Sequence, residues 1–266
     1  MCIRDRDMTV TFGNLIKNWR AIRRFSQLSL SMETGISSRH ISFLETGRSK
    51  PSRSSVLTLA RALEIPKPVV NDVLLAAGFA PEYPTHDLAD INLKPMVNAM
   101  STILNNHAPL PAIIIDGDWQ IVGGNVPATI LMKYLPFKGS MCVVDALLND
   151  DPDDPIFLNW DIIAAWTLTR LQLETSRMGH VGQLADIYKR LSEDPRCIGA
   201  NSSNFSGKEP YLTMEARIDG HDLSLFTMLA EFTSAQDIAM SERRVELFFA
   251  ANEQTQLYFE SLSHNG

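Results

Sequence analysis

Cysteine is scarce in this 266-residue sequence: there are three, at positions 2, 142 and 197. Their odd number and wide separation exclude a disulfide framework, fit no zinc-ligand spacing and point to a reducing compartment. No apolar run approaches the roughly 18 residues of a membrane-spanning helix, so no membrane span is expected. The opening MCIRDRD is charged and has no apolar stretch, so no secretory signal is expected either. Those seven residues match no later pattern, which makes Met8 a candidate natural start, and a cytoplasmic location is expected. Catalytic signatures are missing as well. The histidines at 40, 86, 107, 180, 221 and 264 form no HExxH pair, and GxSxG, GxGxxG and the P-loop are absent. Cys142 and Cys197 have no evident base partner. The run DDPDDP at 150–155 is broken by proline and reads as a solvated loop rather than a metal cage. The expectation is a protein that is not an enzyme and carries no metal or cofactor.

The sequence does hold an uneven charge. Its net value is −7, which by itself argues against a nucleic-acid partner. Residues 1–80, however, hold 12 Lys plus Arg against 6 Asp plus Glu, a net of +6, and residues 81–266 hold 12 against 25, a net of −13. A basic head on an acidic body is the distribution expected when only the head meets phosphates. The length fits two domains, with 9–80 as the head, 81–92 as a linker containing Pro81 and Pro84, and 93–266 as the body.

Within the head, apolar periodicity marks helices over 11–25, 27–33, 38–46, 54–63 and 69–77. The second and third make a sharp pair. Ser26 is placed to cap one and Ser37 the other, Gly35 to reverse the chain between them, and Ile36 to plug the gap. Leu28 and residues 30–32 are expected on the buried side of the second helix. In the third helix Ile41 and Leu44 share the inner face, leaving Ser38, Arg39, His40, Ser42 and Phe43 outward. A helix that enters the major groove by its first turn needs such residues. An arginine can meet guanine O6 and N7 in two bonds, and hydroxyls can reach base or phosphate. Arg48, Lys50 and Arg53, together with Gln27, are expected to hold phosphates.

Gln27, Gly35, Ile36, Ser37, Ile41, Leu44, Glu45, Gly47 and Pro51 fall where the Xre/Cro type of helix-turn-helix places its glutamine, turn, plug, cap, core and exit residues. The first third of the chain resembles that family. The resemblance implies a five-helix, lambda-repressor-like fold, an ion pair between Arg20 and Glu45, a double-stranded DNA operator as partner, and a homodimer. Phe43 departs from the polar residue common there, so base preference does not carry over.

The body reads as α+β. Helices are expected over 93–106, 126–134, 159–176, 183–192 and 253–262, and strands over 112–115, 120–122, 211–218, 223–232 and 245–249. The result is a small antiparallel sheet covered by helices. RHISFLETGRSKPSRSSV, LLAAGFAPEY, PAIIIDGDWQIVGGN, the pair Asn159 and Trp160, and VELFFAANEQT resemble the MmyB-type regulators, in which an Xre-like head is joined to a PAS-like ligand-binding domain. Ala250 and Ala251 stand where that family tends to have proline. The resemblance implies a small hydrophobic ligand, a fatty acid, in the body. From the residues themselves, Trp160, Trp166, Phe226, Met228 and Phe232 are candidates to line such a pocket or to be plain core. Asn125 and Asn159 are candidates for a carboxylate head or for helix caps. A DNA-binding antitoxin whose body only binds protein is the competing reading.

Overall fold

The computed structural model describes residues 11–179, 182–197 and 211–264; Cys2 and the first seven residues lie outside them. The chain divides into two compact units, one of residues 1–85 together with Arg177–Gly179, the other of His86–Ser176 and residues 180–266.

The head is all helical: α1 (Phe12–Ile22), α2 (Gln27–Thr34), α3 (Ser38–Glu45), α4 (Arg53–Ala62) and α5 (Lys67–Ala76). Each start has a local cause. Thr11, Ser26, Ser37 and Ser52 accept from first-turn amides with their side-chain oxygens, and Pro68 lies in the first turn of α5. Gly35 ends α2 in the left-handed region at φ 72°, which costs a residue without Cβ nothing. Ile16, Leu30, Ile41, Leu44, Leu59 and Leu63 form the centre of the core, and Ile36 packs on it half-buried. One expectation fails here. Leu28 is 63% exposed and Met32 74%, and of the apolar residues in α2 only Leu30 is buried. Two residues along a helix is a turn of about 200°, so neither can share the inner face with Leu30.

The body carries α6 (Lys94–Asn106), β1 (Ala112–Ile115), β2 (Ile121–Gly124), α7 (Val126–Met132), α8 (Val143–Leu148), α9 (Trp160–Arg177), α10 (Gln183–Ser192), β3 (Met214–Ile218), β4 (His221–Glu231), α11 (Ile238–Ser241), β5 (Arg244–Ala250) and α12 (Glu253–His264). The five strands form one antiparallel sheet in the order β2-β1-β5-β4-β3. Period-two alternation divides its side chains between two layers. Ala112, Val245 and Leu247 pack with Met100 and Leu104 of α6. Ile113 and Ile115 pack with Ala128 of α7, while Leu223 and Leu225 pack with residues of α7, α8, α9 and α12. Helices α8 and α11 were not expected. VVDALL opens with β-branched residues at strand-like composition, and α11 has only 4 residues. Strand β3 begins at Met214 rather than at 211.

The candidate DNA-binding helix and the cavity of the second unit

Helix α3 is pinned from behind. Ile41 and Leu44 are fully buried, and the Glu45 carboxylate is gripped by Arg20 through Nε at 2.6 Å and Nη2 at 2.9 Å. The remaining Arg20 nitrogen, Nη1, donates to the Phe25 carbonyl at 2.9 Å, tying α1 to the entry of α2. Burial alone would raise the pKa of Glu45. Hydrogen bonds from Arg20 and Gln27 and the Arg20 charge outweigh it and hold the carboxyl below its ordinary value. The first turn of α3 faces the other way. Ser37 accepts from the His40 N–H at 3.3 Å, Arg39 is exposed, and Ser38, His40, Ser42 and Phe43 are half-exposed. The Arg39 guanidinium lies over the Phe43 ring, 5.4 Å from its centre.

Of the residues expected on phosphates, Arg48 and Lys50 are exposed. The other two are engaged inside the head. The Gln27 amide nitrogen donates to Glu45 at 2.8 Å. Arg53 pairs with Glu82 and donates to the Ala80 carbonyl at 2.7 Å. In each case a carboxylate from an adjoining element holds the side chain, although that of Arg53 stays 38% exposed at the surface.

The body holds a cavity of about 120 Å³ that is partly open to solvent. Its walls are mostly apolar, with Ile113, Leu131, Phe137, Ile163, Trp166 and Phe226 among them, and Arg170 and Glu246 supply a polar stretch. Arg170 donates from Nη1 to Glu246 at 2.9 Å and from Nε to Glu174 at 3.3 Å. Arg244 Nη1 meets Glu174 at 2.6 Å, and the Trp119 indole N–H donates to the same carboxylate at 2.8 Å. The Arg170 guanidinium stacks over Trp119 at 4.6 Å and Trp166 at 5.4 Å. Burial pushes Glu174 toward protonation, but the bond from Arg244, its charge and the Trp119 N–H prevail, so this carboxyl too sits below its ordinary value.

Trp166 and Phe226 line the cavity; the other candidates do not. Asn125 is buried, caps α7, accepts from the Ala112 N–H at 3.0 Å and donates to the Leu104 and Leu110 carbonyls. Asn159 donates to the Thr213 carbonyl and accepts from the Glu215 N–H, tying the start of α9 to the start of β3. Trp160 donates to the Leu147 carbonyl and is covered by Arg196 at 4.1 Å. Met228 is 54% exposed, and Phe232, past the end of β4, packs with the α6 layer. Trp119, Arg170 and Glu246 went unforeseen, although two signals were present. Trp166, Arg170 and Glu174 are spaced by four along α9, hence on one face, and Glu246 is a lone acid in the otherwise apolar core of β5. Burial pushes the Cys142 thiol up, which leaves it a poor nucleophile. Among the described residues no helix is long and apolar enough to cross a membrane.

Two family models match the chain. A helix-turn-helix model covers residues 16–69, and the model of the MmyB-like transcription regulator ligand binding domain covers 97–262. No curated protein matches the sequence. A solved structure described as "Structure of an RNA-binding Light-Oxygen-Voltage Receptor" aligns at 13% identity and a TM-score of 0.26, covering 94% of this chain and 63% of that one. The chain therefore spans less than two thirds of that receptor, and a score this low carries no argument about fold or function. The match over 97–262, behind a helix-turn-helix head, decides the family: the chain belongs to the MmyB-like transcription regulators, DNA-binding proteins with a ligand-binding domain.

Proposed function

We propose that the protein is a cytoplasmic, homodimeric transcription regulator that reads its operator with the first turn of α3 and senses a small hydrophobic ligand of the fatty-acid class in the cavity of its body. The observation that carries the DNA reading is the exposed Arg39, on a helix whose other end is locked by Arg20 and Glu45. Two heads of such a dimer meet half-sites about one helical turn apart. The mostly apolar cavity supports the sensing role over a body that only binds protein, since protein binding needs no internal space. Ligand acts by binding one arrangement of the heads more tightly than another; without that difference in affinity it shifts nothing. The protein on this reading binds and switches, and carries out no reaction.

The roles of Arg39 and Lys50 separate experimentally. Arg39→Ala is expected to lose roughly 1–3 kcal/mol at one base position and to relax preference there. Lys50→Ala is expected to weaken all sequences alike and to reduce the slope of affinity against salt by about one. Selection of bound sequences from a random DNA pool, followed by salt titration on the best site, reads both effects. Identical profiles for the two variants would refute the division of labour.

A further inference from the structure

The cavity of the body is small for an acyl ligand, and its walls are built to keep it so. Its volume is about 120 Å³. A dry apolar cavity of about 150 Å³ takes a six-carbon ring, so each carbon occupies about 25 Å³ and this cavity has room for about five.

Two features of the wall resist enlargement. Along one stretch it is an ion-pair network: Arg170 lines the cavity and is bound to Glu246 and Glu174, and Glu174 is held in turn by Arg244 and the Trp119 N–H. A longer chain could pass there only by parting a buried cation from its carboxylate, which is costly. Elsewhere Leu131, Ala146, Leu147, Phe157 and Ile163 line the space and belong to one packed cluster, so pushing any of them outward overpacks its neighbours. From this fit we propose that the cavity selects acyl ligands by length, enclosing about five carbons of the chain while any further carbons project through the mouth and add little. The ligand is then a short-chain acyl compound. This rests on the acyl-ligand reading above and fixes its chain length.

Isothermal titration calorimetry of the full-length protein with the straight-chain acids from butanoic to tetradecanoic reads the limit. Affinity is expected to rise about fourfold with each methylene up to hexanoic acid, the transfer value of one buried CH₂, and by less than about twofold per methylene beyond octanoic acid. A gain of about twofold or more per methylene that continues past octanoic acid, or binding that first becomes measurable there, overturns the length limit and leaves the acyl-ligand reading standing. If no acid in the series binds, the acyl-ligand reading falls and this inference with it. Leu131→Ala thins the cavity wall and is expected to carry the steep rise on by about two to three methylenes. A rise that ends where it does in the wild type places the limit outside this cavity and overturns the proposal. Should that variant misfold, the wild-type series still decides.

Discussion

Gly13→Val is expected to leave the DNA-binding head unfolded, and Gly13→Ala to lower its stability by about 2 kcal/mol. A Cβ on Gly13 would lie 2.5 Å from the Glu45 carbonyl oxygen and 2.7 Å from that of Leu44. Both are backbone atoms at the end of α3, so no side-chain rotation relieves the clash; α1 and α3 must separate across a close-packed core. Overpacking of this kind costs roughly 3 kcal/mol. Alanine recovers about 1 kcal/mol through its better helix propensity, which sets the net figure. Valine adds two further carbons and recovers less. Calorimetry of the full chain reads the outcome: the transition of the head should move down or vanish while that of the body stays. An unshifted head transition in Gly13→Ala would contradict the close approach of α1 to α3.

The second large effect is expected from Arg20→Ala, about 3 kcal/mol of lost head stability. Glu45 is 7% exposed, and the variant strips its carboxylate of both arginine bonds and the Phe25 carbonyl of a third. Only Gln27 would remain on Glu45, which keeps the loss at the lower end for a broken buried pair. Replacing both partners together by methionine should cost less than Arg20→Ala alone, because no charge is left stranded. The pair also fixes an acid dependence. The Glu45 carboxyl is held below its unfolded value, so its contribution is present above the ordinary glutamate pKa and is lost as pH falls through the lowered one. Thermal melts from about pH 7 down to pH 3 should show this loss in the wild-type head and a flatter profile in Glu45→Gln. Parallel profiles would remove Glu45 from the account.

Much of the head was legible because its signals are local. A cap, a left-handed glycine and a plug lie within three consecutive positions, 35–37, and each acts on its neighbours through the backbone. Leu28 and Met32 are apolar but lie off the inner face, which only the angle of the helix reveals, and Gly13 carries no local mark at all, since what constrains it lies on α3. In the body, alternation located the strands but could not say which apolar residues surround space and which surround each other. Trp160, Met228 and Phe232 differ from Trp166 and Phe226 only in where the fold puts them. The cluster of Trp119, Arg170, Glu174, Arg244 and Glu246 joins a turn, a helix and a strand, so its closure becomes visible only in three dimensions.

On the proposed reading of α3, the placement of Arg39 over Phe43 bears on how an operator would be searched. A long cationic side chain that sweeps freely must surrender most of its rotamers at each attempted landing, whereas one already leaning on an aromatic face gives up fewer. If Arg39 reads the operator as proposed, Phe43 would lower the entropic toll of each trial encounter while itself needing to touch no base.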